Sequence, residues 1–140
     1  MPLLSQLAQK VGKVVLMSHS QSGIYPFQTA AVSNRGIASI VSIEPGTCPD
    51  PKGNLRPYLG MPIMVLWGDY VDRSPRWAPR LKLCREFAEA ANKAGGKVEN
   101  IVLPDLGIKG NSHMLMQDRN SIELAAWMWD WIDRRVERGQ

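Results

Sequence analysis

The chain predicts an α/β fold, a parallel sheet of about four strands with helices on both faces, and three observations carry that expectation. Four short runs dominated by apolar and β-branched residues recur at Val14–Met17, Ile37–Ile43, Pro62–Trp67 and Val98–Leu103. Stretches with helically spaced apolar residues separate most of these runs and flank the set. The order is helix, strand, helix, strand, loop, strand, helix, strand, loop, helix, and strands joined by crossover helices lie parallel with right-handed connections. At 140 residues the chain is expected to be one domain, long enough for a real core yet short for an enzyme built on a large sheet.

Leu3, Leu4, Leu7, Ala8 and Val11 have the spacing of a first helix, which Gly12 and Lys13 end before the first strand. That strand runs into S-H-S-Q-S-G, residues 18–23, and a helix-compatible pattern follows from Gly23 to Val32. Pro26 cannot donate its backbone hydrogen bond, so a late start or a distorted first turn is expected there. The cluster Ser33-Asn34-Arg35-Gly36 is a turn, and the second strand is nearly continuous in apolar and small residues, as strands buried on both faces are. Glu44 arrives as that strand ends, and Pro49, Pro51, Gly53 and Pro57 make residues 47–60 a loop.

The third strand leads into G-D-Y-V-D, with Asp69 and Asp72 past its end. A helix from about Trp77 to Ala94 places Leu81, Leu83, Cys84, Phe87, Ala88 and Ala91 on one broad face, and Gly95-Gly96 stops it. After the fourth strand a loop carries Gly107, Gly110, Asn111 and His113, and the last helix spans about Asn120 to Val136. Its expected buried stripe is Ile122, Ala125, Ala126, Trp129, Ile132 and Val136, with the tryptophans at 127, 129 and 131 read as core.

Composition bounds the function. The chain is 44% hydrophobic and 21% charged, as folded globular domains are, with a net charge of +4 and a pI near 9.3. Basic clusters at Arg73, Arg76, Arg80, Lys82 and Arg85, and at Arg134, Arg135 and Arg138, are read as solvated helix faces. No zinc-finger, helix-turn-helix or RNA-binding signature accompanies them, so no nucleic-acid partner is expected. No apolar run approaches the roughly 18 residues of a membrane span, and the N-terminal residues lack the pattern of a secretory signal. A soluble protein is therefore the expectation. Two histidines and two distant cysteines form no recognisable zinc motif, and no metal or organic cofactor is expected. Cys48 and Cys84 fit either two buried residues or, in an oxidising compartment, a disulfide.

Function in parallel sheets gathers at the carboxyl ends of the strands. Ser20, Glu44, Asp72 and His113 each follow the end of a different predicted strand. The strand, sharp turn and helix around Ser20 have the layout of a nucleophile elbow, although Ser18 and Ser22 stand where G-x-S-x-G has glycines. A serine hydroxyl needs a base to remove its proton, and a histidine oriented by a carboxylate is the common solution. His113 is the better candidate base, because His19 adjoins the serine on a strand end and should point away from it. Two carboxylates compete for the acid: Glu44, one strand nearer the serine, and Asp72, one strand later. Tyr25 and Phe27 beside the turn, with Met114 beside the histidine, are candidates to line an apolar acyl site.

The blocks S-H-S-Q-S-G-I-Y-P-F-Q-T-A-A, I-V-S-I-E-P-G and G-N-S-H-M-L-M-Q-D-R-N-S occur in that order and cover most of the chain. Together they resemble an unusual bacterial branch of the α/β-hydrolase esterases in which a glutamate after the second strand serves as the acid. The resemblance implies Ser20 as nucleophile, His113 as base, Glu44 as acid, the Gln21 N–H in the oxyanion hole and a small-molecule ester as substrate. It further implies that the four strands are the C-terminal half of an α/β-hydrolase fold, so the chain is expected to be incomplete at its N-terminal side. In that fold a loop after an early strand supplies a second oxyanion amide, and an earlier strand covers the edge of the serine-bearing strand. An exposed edge there is expected to favour association of copies, and a catalytically inactive half-hydrolase that binds or assembles through it is the alternative reading.

Overall fold

The computed structural model describes residues 1–136; residues 137–140, and with them Arg138, lie outside the described residues. Four strands, β1 (Val14–His19), β2 (Ile37–Ile43), β3 (Pro62–Trp67) and β4 (Lys97–Val102), form one sheet in the order β1-β2-β3-β4. All three pairings are parallel. The helices are α1 (Pro2–Val11), α2 (Tyr25–Val32), α3 (Ala78–Lys93) and α4 (Ser121–Val136).

The alternation of a pleated strand distributes β3 between two cores. Ile63, Val65 and Trp67 join residues of α1, α2 and α3 on one face, and Met64 and Leu66 join Leu124, Trp131 and Ile132 of α4 on the other. From Ile63 to Trp67 every side chain of β3 is fully buried, which is why that run carries no polar residue. On the α1–α3 side, Phe27, Tyr58 and Phe87 pack edge to face with centroids 5.4–5.8 Å apart. Each such ring contributes roughly 1.5–3 kcal/mol by leaving water. The same burial pushes the Tyr58 hydroxyl's pKa up.

Cys48, in the loop after β2, is disulfide-bonded to Cys84 of α3. A cross-link closing 36 residues restricts the unfolded chain by about 4 kcal/mol on the loop-closure model. The bond pins the segment after Glu44 against α3.

Two helices differ from expectation. In α4 the buried residues are Leu124, Trp131 and Ile132, with Trp127, Met128 and Val136 partly covered. Ile122 and Trp129 of the expected stripe are exposed, as are Ala125 and Ala126. The helix bears two apolar stripes at helical spacing, and the sheet takes the one led by Leu124. In α1, Ser5 and Ala8 face inward, while Leu3, Leu4, Leu7 and Val11 are exposed. At the turn after β1 a 3₁₀ segment, Ser20–Ile24, precedes α2, whose first turn holds Pro26, as the missing donor of proline requires.

Candidate active site

The backbone of Ser20 sits at φ 58°, in the left-handed region. A non-glycine residue held there costs roughly 1–3 kcal/mol and needs its surroundings to hold it. Here Gly46 N–H donates to the Ser20 carbonyl at 2.8 Å, and Ser22 Oγ donates to the His19 carbonyl at 2.7 Å. Gly23 lets the turn close on the segment after β2. A Cβ at that position would lie 2.5 Å from Pro45 Cβ and 2.6 Å from Pro45 Cα, nearer than atoms can pack.

Glu44 leaves β2 with φ 46°, also left-handed, and its N–H donates to the Leu66 carbonyl at 2.7 Å. Its side chain is 1% exposed, whereas that of His113 is 31% exposed. Glu44 Oε1 accepts the Gly68 N–H, and Oε2 lies 3.0 Å from His113 Nδ1. Gly68 makes this meeting possible, since a Cβ there would stand 2.8 Å from the Asn111 carbonyl oxygen and 3.1 Å from Glu44 Oε1. His113 Nε2 lies 2.8 Å from Ser20 Oγ. Serine hydroxyl, imidazole and buried carboxylate thus form one hydrogen-bonded line, drawn from the ends of β1, β4 and β2.

The loop carrying His113 is braced from behind. Asp118 accepts the Ser112 N–H and hydroxyl, each at 2.8 Å, and the Asn111 side-chain amide at 3.0 Å. Asn111 also exchanges hydrogen bonds with Asn120, and its carbonyl accepts the Asp69 N–H at 2.8 Å. Partial burial would raise the Asp118 carboxyl, but the donors from Asn111 and Ser112 outweigh it and hold the group below its usual range. Two rings flank the histidine. The His19 centroid is 4.7 Å and the Trp77 centroid 4.4 Å from that of His113. His19 Nε2 is 2.7 Å from the His113 carbonyl, so that nitrogen carries the proton and donates. Sequence reading gave His19 and Trp77 no part in this, since nothing in their spacing reveals which ring they will pack against.

The remaining expected residues distribute unevenly. Asp72 is exposed on a 3₁₀ turn, Val71–Arg73, beside a hollow with Asp69, Arg73, Arg85 and Lys109, and is no partner of His113. At the end of β3 the Gly68 N–H and the His113 ring are both taken by Glu44, so the carboxylate paired with His113 is Glu44 and the expected alternative, Asp72, is not. Asp69 accepts the Gly110 and Tyr70 N–H groups, and the Gly110 bond leads in keeping its carboxyl below the usual range. Phe27 is fully buried in the aromatic trio and cannot line an acyl site. Tyr25, 42% exposed, lines a hollow on the open side of β1 with Leu4, Val15 and Met17. Met114, beside His113, is exposed and lies outside the lining of the serine cleft. Gln21 does line that cleft, a depression of about 360 Å³, together with Ser20, Gly46, Thr47, Arg76, Trp77 and Arg80. Among the described residues no group of three or more His, Cys, Asp or Glu could hold a metal ion, and no helix is long and apolar enough to cross a membrane.

No family model matches the chain. A solved structure described as that of a novel bacterial esterase matches with a TM-score of 0.91 and 54% identity, over 95% of this chain and 42% of the esterase chain. A fungal protein named probable secreted lipase phiG, from Fungal sp. (strain ATCC 74256), is 24% identical over 181 residues, 94% of this chain and 49% of the lipase. The chain therefore spans about half the length of the curated relative it matches. It shares the fold of the bacterial esterase over the matched portion.

Proposed function

We propose that the chain carries the catalytic centre of a serine carboxylesterase working through an acyl-enzyme, with Ser20 as nucleophile, His113 as base and Glu44 as acid. The observation that carries the reading is the hydrogen-bonded line from Ser20 Oγ through both ring nitrogens of His113 to a carboxylate shut away from water. Ser20 Oγ attacks the ester carbonyl while His113 Nε2 takes its proton. The carbonyl π electrons move onto oxygen, and the Gln21 N–H stabilises the resulting oxyanion. On collapse the alkoxide leaves with the proton from His113, and the acyl group stays on Ser20. Water then repeats the sequence, releasing the acid and restoring the serine. Glu44 holds the Nδ1–H tautomer and stabilises the imidazolium as it forms. The kinship with an esterase and a lipase supports the ester as the substrate class.

One oxyanion amide is a thin complement, since losing a donor typically costs about 10²–10³ in turnover. A loop following an earlier strand of the fold is the proposed source of the second. The Cys48–Cys84 disulfide favours an oxidising compartment as the place of work. The competing reading, an inactive half-hydrolase that assembles through the open edge of β1, draws support from the exposed Leu3, Leu7, Val11 and Met17. Reaction with a fluorophosphonate separates the two. Esterase function predicts stoichiometric labelling of Ser20, and it predicts hydrolysis of 4-nitrophenyl butyrate that Ser20→Ala lowers by at least about 10³-fold. Unchanged hydrolysis in Ser20→Ala overturns the triad, and an intact fold that never labels selects the assembly reading.

A further inference from the structure

The serine cleft is lopsided in charge. Two of its seven lining residues are arginines, and none is acidic. Arg80 Cζ stands 4.6 Å from the Trp77 ring centroid and Arg76 Cζ 5.7 Å from it, while Arg80 Nη1 donates to the Arg76 carbonyl at 3.1 Å. Both guanidiniums are thus tethered to the indole that packs beside His113. Neither forms an ion pair among the described residues, in contrast to Arg134 and Arg135, which pair with Asp130 and Glu99. A guanidinium resting on an aromatic face keeps its N–H edge free, and that edge matches a carboxylate in geometry and charge. The one carboxylate in the catalytic line, Glu44, is buried and already occupied by Gly68 N–H and His113. Two cations lining a small cleft focus their field on whatever enters it.

We propose that Arg76 and Arg80 select esters bearing a second, anionic group, a carboxylate a few carbons from the scissile carbonyl. This rests on the esterase reading and narrows its substrate class. The basic cluster at 73–85 is then divided by the fold: Arg73 and Arg85 line a different hollow, while Arg76 and Arg80 line the cleft with Ser20.

The test compares kcat/KM for mono-4-nitrophenyl glutarate with that for a 4-nitrophenyl ester of matched length and no charge, corrected for spontaneous hydrolysis. A parallel pair, 4-acetoxybenzoate and 4-acetoxybenzamide, puts the charge on the alcohol side. In at least one pair the anionic ester should be preferred by about tenfold at low salt, as expected of a charge-assisted contact. The preference should shrink as salt screens it and fall towards unity in the Arg76→Gln/Arg80→Gln variant. A wild-type protein that takes neutral esters as well as anionic ones in both pairs overturns the proposal while leaving the esterase reading intact. So does a double variant that keeps the preference. Where no ester of either kind is cleaved, the esterase reading fails, and glutarate binding followed by NMR at the Trp77 indole still decides the cleft. Binding lost in the double variant supports selection of a carboxylate, and binding absent from the wild type, or unchanged in the variant, overturns it.

Discussion

Glu44 and Asp72 are both acidic residues after a strand, and their surroundings give them opposite expectations. Glu44 is buried, accepts one backbone N–H and orients His113; Asp72 is exposed and out of that ring's reach. Glu44→Gln should lower kcat by about 10⁴, the loss expected when an orienting carboxylate becomes an amide and the wrong tautomer is favoured. Asp72→Asn should stay within about twofold of wild type, as surface substitutions away from a site do. Equal losses of kcat on 4-nitrophenyl butyrate in the two variants would sink the assignment, with thermal melts confirming that both remain folded. Ser20, Glu44 and His113 are legible in the sequence because each stands at a strand end inside a recognisable block. The parts played by His19, Trp77, Arg76 and Arg80 are not, because each depends on contacts between segments far apart in the chain. Trp77 reads as the start of a helix until the fold sets its ring against that of His113, which comes after β4 in the chain.

The element that positions His113 is the loop from Asn111 to Asn120, and Asp118 is its internal anchor. The hydrogen bonds it accepts lower its pKa in the folded protein. Its stabilising effect is therefore fully present above the unfolded value, near 4, and is lost as pH falls through the lower folded value. Amide exchange of residues 111–114 should accordingly be flat from neutral pH to about 5, after correction for intrinsic rates, and rise only below about 4. Asp118→Asn removes the charged acceptor at every pH. It should raise that exchange at pH 7 and lower kcat by about tenfold with little change in KM, because misplacing a catalytic group weakens the chemical step more than binding. Wild-type exchange and kcat in this variant would show that the loop stands without Asp118. Strand boundaries were the most legible elements: β2 and β3 begin and end where the apolar runs do, because Gly36, Gly60 and Gly68 punctuate them. β1 runs two residues further than its apolar run, since Ser18 and His19 stay in register with Ser42 and Ile43. The buried face of α4 was not legible, because two stripes of similar apolarity lie on one helix and only the sheet chooses between them.

At the scale of the whole molecule, the sheet ends on the strand that leads into Ser20. β1 pairs with β2 on one side and with no other strand among the described residues. Proteins usually blunt such an edge with charge, proline or a covering element, yet V-V-L-M-S-H offers no lysine, arginine, glutamate or proline. Beside it, Met17 is 52% exposed, and Leu3, Leu4, Leu7 and Val11 of α1 turn outward. The chain matches 42% of the length of the bacterial esterase. We propose that the isolated chain pairs with a second copy through this edge, the backbone of β1 supplying hydrogen bonds and the apolar side chains the driving force. Sedimentation velocity should then show a dimer or larger species at concentrations of tens of micromolar, and Leu7→Glu combined with Met17→Lys should return it to a monomer. A wild-type chain that sediments as a monomer throughout would reject the association. Fluorophosphonate labelling in the same samples links assembly to chemistry. Ser20 follows β1 directly, so a partner strand that steadies β1 should also steady the left-handed turn at Ser20. Labelling of the wild type should therefore quicken with concentration, while the charged double variant should label at one slow rate throughout.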